Sequence, residues 1–376
     1  MKRIPELDGI RGLAILSILL WHCIAPRLDL SLDWSLQLMK GMNLAWTGVD
    51  LFFVLSGFLI GGILLDQGRA NNFFQVFYVR RALRILPPYF LLLLSYLVTK
   101  MWLAPTKPSE AAGLLVPSPP LWIYGTFLQN FYFAGTGASG TPWLSATWSL
   151  AVEEQFYLCL PLVVFLAPPT RLAPLLMGLI AAAPLFRILL YDLPPVPGFA
   201  DYVLMPGRAD ALLIGVLGAW LVRHEPARQW LNVHQGWLRL ALLVLLAGVV
   251  VLHQSYLGYI AFPMMAVGYT WLALFYGCLI LVAVTATRGV VRAITRLPPL
   301  RYLGNISYAL YLIHVPVSKL IYDAWNGQSD KVHSGSDALV MVLALLAPIV
   351  MAALSWHLME RPLMRLGHSQ RYRFDV

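Results

Sequence analysis

The stretch LVMVLALLAPIVMAALSW, residues 339–356, decides the fold class. It runs 18 residues without a charge, and as a helix it would rise about 27 Å, close to the thickness of a bilayer's hydrocarbon core. A second run, ALLVLLAGVVVL at 241–252, reads the same way once its flanks are added. Both are continuously apolar rather than alternating, which excludes a transmembrane β-barrel. Composition agrees: of 376 residues 59% are hydrophobic and only 12% charged, too little polar surface to wrap a water-soluble particle of this size. An all-α, polytopic integral membrane bundle is therefore expected.

Apolar segments bounded by charged or Pro/Gly-rich breaks fall at residues 10–27, 46–66, 84–103, 146–167, 172–191, 207–222, 238–254, 262–285, 302–323 and 337–359, ten spans in a single domain, 1–376. Most of the 27 Lys and Arg residues fall in alternate connections, so the positive-inside rule puts those connections and both termini in the cytoplasm. Topology then accounts for most of the net charge of +9, and no nucleic-acid partner is called for. MKR before the first apolar run has the look of a signal peptide, but Arg11 interrupts that run and no small-x-small cleavage site ends it, so a retained span is expected. The longest connection, 104–145, would face outward, with LWIYGTFLQNFYF (121–133) lying at the interface. Cys23, Cys159 and Cys278 stand scattered in apolar runs, with neither a disulfide framework nor metal-ligand spacing. There is no internal repeat of the kind that builds transporters from paired halves.

Ionisable side chains in a bilayer are costly and tend to face a bundle's interior for a reason. His22 and Asp50 would lie at similar depth, near the outer ends of the first two spans. Glu153 and Glu154 follow about two turns below the outer surface, and His314 lies about two turns from the outer end of the ninth span. A histidine within reach of a carboxylate is the minimal apparatus for activating a hydroxyl, and equally a pair that satisfies itself and fixes helix register. Arg11 and His22 stand eleven positions apart, three turns plus about 20°, hence on one helix face about 16.5 Å apart. That length suits a thin cofactor with an anionic head and a reactive end, such as acyl-coenzyme A, although Arg11 alone is also what topology demands. Arg80, Arg81 and Arg84 crowd the start of the third span and repel unless an anion bridges them. Arg208 and Asp210, at the outer start of the sixth span, either line an outward cavity and grip a polar acceptor or lock the interface as a pair.

Five stretches, ELDGIRGLAILSILLWH, GVDLFFVLSGFLI, FYVRRALRILPPYF, TWSLAVEEQFYLCLP and YLGNISYALYLIHVP, followed late by MERP, resemble the signature segments of the acyltransferase-3 family of bacterial integral membrane acyltransferases. They stand in the family's order and span nearly the whole chain. The resemblance implies transfer of an acyl group, commonly acetyl, from cytoplasmic acyl-CoA to a hydroxyl of a sugar-containing acceptor, at the bacterial cytoplasmic membrane and without a metal. The family's Arg-x10-His pair maps onto Arg11 and His22, the latter catalytic, and its Arg-x-x-Arg element onto Arg81 and Arg84. Its carboxylate after WSL maps onto Glu153 or Glu154, with Glu154 favoured. Many relatives carry a further soluble domain; here the chain ends with MERPLMRLGHSQRYRFDV, and a stand-alone form is expected.

The leading expectation is an O-acyltransferase. Arg11, Arg81, Arg84 and Arg80 hold the phosphates of acyl-CoA, and His22 is the general base with Asp50 or Glu154 orienting it. Arg208, Asp210, His314 and Glu153 contact the acceptor. The rival from another class is a proton-coupled transporter in which His22, Asp50, Glu154 and His314 form a proton relay, and a third is a binding protein that performs no chemistry. The transporter reading gives no account of the arginine cluster.

Overall fold

Helices form wherever the apolar runs stand. A computed structural model describes residues 4–106, 119–191, 199–255, 258, 260–325 and 331–374. Lys2 and Arg3, and the centre of the 104–145 connection, lie outside the described residues. The long helices are α1 (Pro5–Leu19), α2 (Gly48–Gln67), α3 (Phe73–Thr106), α4 (Trp148–Leu166), α5 (Leu172–Tyr191), α6 (Met205–Leu221), α7 (Gln235–Gln254), α8 (Tyr269–Thr285), α9 (Pro298–Ala324) and α10 (Gly335–Ser355). The short α11 (Arg361–Ser369) follows. Among the described residues nine helical segments are long and apolar enough to cross a membrane. Helix α9 stands outside that group because Arg301, Lys319, Asp323 and several polar residues dilute it, yet its 27 residues span about 40 Å. The protein is a polytopic helical membrane protein.

Helix α1 begins with Pro5 in its first turn and with Glu6 and Asp8 beside its N-terminal dipole. It does not stay α-helical to the end of the apolar run. A π-helical turn, Leu20–Ile24, carries His22, and a 3₁₀ turn, Ala25–Arg27, ends the segment at Pro26. His22 therefore leaves the α-helical register that the eleven-residue spacing assumed. Helix α3 differs too: it starts at Phe73, eleven residues before the expected span, and runs through Pro87 and Pro88. Arg81 and Arg84 sit two to three turns inside it rather than at its mouth.

The bundle is assembled on small residues, as expected where lipid supplies no hydrophobic drive between helices. At Gly12 a Cβ would stand 1.9 Å from the Leu300 carbonyl oxygen, and at Gly304 1.9 Å from that of Asp8, so α1 and α9 cross backbone to backbone. Gly57 and Gly215 do the same for α2 and α6. Helices α7 and α10 turn large apolar side chains such as Leu243, Val251, Leu346 and Leu354 outward, as a lipid-facing rim would. Gly12→Leu is expected to force α1 off α9 and to abolish recovery of monodisperse protein after detergent extraction. Leu13→Ala, one residue away on a partly buried face, should leave recovery close to wild type.

Candidate functional site

The α1–α9 crossing places one wall of a cavity of about 520 Å³, and α2, α3, α4 and the chain from Trp356 to His368 supply the others. At one end three guanidinium groups converge: Arg11 from α1, and Arg81 and Arg84 from α3. Each lies within electrostatic reach of the other two. Arg11 Nη1 is 3.4 Å from Asp8 Oδ1. Arg81 and Arg84 form no salt bridge and no side-chain hydrogen bond among the described residues. The carboxylates of Asp8, Glu153, Glu154 and Glu360 lie within electrostatic reach and offset part of this like charge, and a bound anion would offset more.

Farther along the cavity Ser56 and Tyr157 hydrogen-bond through their hydroxyls, and both reach the Glu153 carboxylate. The cavity extends to Ser149 and Tyr311. The Tyr311 hydroxyl donates to the Ala146 carbonyl at 2.9 Å and shares a 2.5 Å hydrogen bond with Ser149. One helical turn from Tyr311, and with its ring 5.7 Å from the tyrosine ring, is His314.

His314 is fully buried and faces His22 across the helix crossing, its Nε2 lying 3.2 Å from His22 Nδ1. The two rings are tilted by 54°, so they meet through nitrogen atoms rather than by stacking. His22 keeps an exposed face, and that face is not part of the cavity wall. Beyond it the chain is tied down: the Tyr322 hydroxyl donates to the Cys23 carbonyl at 2.9 Å, and Arg27 lies 3.8 Å above the Tyr322 ring. In the connection that follows, the Ser31 N–H holds the Asp29 carboxyl below the usual carboxylate range, with His333 3.4 Å away.

Several expected assignments need correction. Asp50 does not orient His22; it forms a buried ion pair with Arg208, each side chain 1% exposed. In a low-dielectric interior a carboxylate gains more from a guanidinium than from a neutral imidazole, and the tight α2–α6 contact brings the guanidinium to it. Arg208 and Asp210 neither pair with one another nor line the cavity. Arg208 lies 3.9 Å over the Tyr269 ring, and Asp210 accepts from Arg187 at 3.0 Å and from Thr270 at 2.6 Å. Glu154 lies within electrostatic reach of Glu153 and Arg81, with one buried oxygen lacking a hydrogen bond, and Glu153 belongs to the arginine cavity. Arg80 leaves the cluster because its side chain reaches the Gln370 carbonyl at 2.5 Å and lies over Tyr372. His314, expected at the acceptor, is the partner of His22.

Arg187 was missed by sequence reasoning, although an arginine inside the apolar run LFRILLY should have flagged it. It also donates to the carbonyls of Gly207 (2.5 Å) and Met265 (2.6 Å), the latter within the π-helical turn Met264–Gly268. The Asp50–Arg208 and Arg187–Asp210 pairs therefore lock α2, α5, α6 and α8 together. Arg208→Met strands the Asp50 carboxylate and is expected to destabilise the protein by about 3–5 kcal/mol, read as a fall in melting temperature. Adding Asp50→Leu should recover most of the loss.

The cavity's arginines and the paired histidines come from the very segments whose motifs were quoted from the sequence, and a family model described as an acyltransferase domain matches residues 4–358. The chain belongs to the acyltransferase-3 family. Among curated acyltransferase relatives, the peptidoglycan O-acetyltransferase OatA of Listeria monocytogenes is 27% identical over 384 residues, which covers 97% of this chain and 56% of that protein. The putative peptidoglycan O-acetyltransferase YrhL of Bacillus subtilis is 29% identical over 399 residues, with the same coverage of 97% and 56%. A putative O-acetyltransferase of Staphylococcus aureus is 26% identical over 385 residues, 98% of this chain and 58% of the relative. The chain thus spans somewhat more than half the length of these relatives. No solved structure matches it.

Proposed function

We propose that this acyltransferase moves an acetyl group from acyl-CoA to a hydroxyl of a carbohydrate acceptor, peptidoglycan being the acceptor named for the Listeria and Bacillus relatives. The observation that carries the reading is the convergence of Arg11, Arg81 and Arg84 on a cavity that reaches Tyr311, one helical turn from His314 of the His22–His314 pair. Its 520 Å³ is within the range of small-molecule sites, and two of its three guanidinium groups make no salt bridge or side-chain hydrogen bond among the described residues. By the positive-inside distribution this mouth opens to the cytoplasm of a bacterial inner membrane.

In this reading Arg81, Arg84 and Arg11 grip the phosphates of the donor by charge-assisted hydrogen bonds. Ser56, Tyr157 and Glu153 offer hydrogen-bonding groups to the stretch between the phosphates and the thioester. The exposed face of His22, outside the cavity wall, receives the acceptor. His22 takes the proton of the acceptor hydroxyl as its oxygen attacks the thioester carbonyl carbon. The carbon–sulfur bond then breaks, and the imidazolium returns the proton to the departing thiolate sulfur. Among the described residues no group of three or more His, Cys, Asp or Glu is placed to hold a metal, and no step here is routed through one.

The test is release of free CoA thiol by the purified protein given acetyl-CoA with and without peptidoglycan glycan strands. Release that rises with the glycan and leaves acetyl ester on it is expected. A protein that binds acetyl-CoA and never releases thiol would refute the reading.

A further inference from the structure

The two imidazoles differ in what surrounds them. His314 Nδ1 lies 2.7 Å from the carbonyl oxygen of Tyr311, and a carbonyl can only accept. The proton of neutral His314 therefore sits on Nδ1, which leaves a lone pair on Nε2. That lone pair is 3.2 Å from His22 Nδ1, so His22 Nδ1 must donate, and the remaining lone pair of His22 sits on Nε2. His314 is itself held: its backbone carbonyl accepts from the Ser318 hydroxyl at 2.6 Å, and no part of it is exposed.

We infer that His314 is the positioning residue of His22: through the chain Tyr311 C=O, His314, His22 it fixes the tautomer and ring orientation that present His22 Nε2 as the base. This rests on the acyltransferase reading above and deepens it. The work usually done by a carboxylate falls to a neutral imidazole, whose burial in a membrane interior is far less costly than that of an anion. A second role follows from the same geometry. When His22 gains a proton on Nε2, its Nδ1–H becomes a charged donor, and His314 Nε2 is already placed to accept the strengthened bond.

The experiment compares three variants of the full chain in lipid nanodiscs, with kcat and donor KM measured for acetyl transfer. His314→Leu removes the acceptor. His314→Asn keeps only a group near Nδ1 that can donate to Tyr311. His314→Gln places an amide oxygen near the position of Nε2, where it can accept from His22. Expected are falls in kcat of roughly 10–100-fold for Leu and Asn, the range seen when the hydrogen-bond partner of a metal-ligating histidine is lost, with donor KM little changed. His314→Gln should recover most of kcat. Wild-type kcat in His314→Leu, or equal kcat in the Gln and Asn variants, would overturn the inference. Should His314→Leu fail to fold, the Gln and Asn pair still decides. Undiminished transfer by His22→Ala would instead remove the base assignment beneath it, a failure that is separately visible.

Discussion

Replacing Arg81 and Arg84 together by alanine is expected to raise the donor KM by at least about 100-fold, since a hydrogen bond to a charged group contributes about 1.5–3 kcal/mol and two are lost. The turnover number at saturating donor should fall much less, because the histidine pair is untouched. Neither side chain makes a salt bridge or a side-chain hydrogen bond among the described residues, and Glu153 and Glu154 are only within electrostatic reach of them, so their removal should cost less than leaving Asp50 without Arg208. Relief of the repulsion among three clustered cations offsets the lost attraction to Glu153 and Glu154, so the double variant should melt close to wild type. Donor affinity in the wild type should weaken as salt is added, and the variant should lose most of that dependence. Arg80→Ala is the internal control: its guanidinium is committed to Gln370 and Tyr372, so donor KM should stay near wild type.

His22→Ala carries the second large effect. A positioned general base contributes roughly 10²–10⁴ in rate, and the loss should appear in kcat with donor affinity preserved. The substitution leaves the buried Nε2 of His314 without a partner, a penalty of about 1–3 kcal/mol, so a modest drop in melting temperature should accompany it. His22→Asn, whose amide lies near the position of Nδ1 and can donate to His314 Nε2, should regain stability without regaining turnover. The two outcomes together separate chemistry from packing.

Much of this arrangement was legible in the sequence, for reasons that differ residue by residue. Uncharged runs long enough to cross a bilayer announce themselves, and Arg11, Arg81 and Arg84 stood out because charge in such runs needs a partner. What sequence spacing could not supply was the identity of that partner. Spacing puts Asp50 and His22 at a common depth, but depth says nothing about azimuth, and the Gly57–Gly215 contact turns Asp50 toward Arg208. The pairing of His22 with His314 depends on a crossing between helices nearly 300 residues apart, set by Gly12 and Gly304. The π-helical turn at Leu20–Ile24 left no mark that a 3.6-residue periodicity could register. Arg187 was readable and went unread, and it holds the second π-helical turn in place.

The measurement that bears most directly on the whole account uses sealed vesicles containing the wild-type protein, with glycan strands trapped inside and acetyl-labelled acetyl-CoA added outside. Molecules whose arginine-lined mouth faces outward should place label on the enclosed glycan as an ester, in proportion to their number. A protein that binds the external donor and leaves the enclosed glycan unlabelled would contradict it.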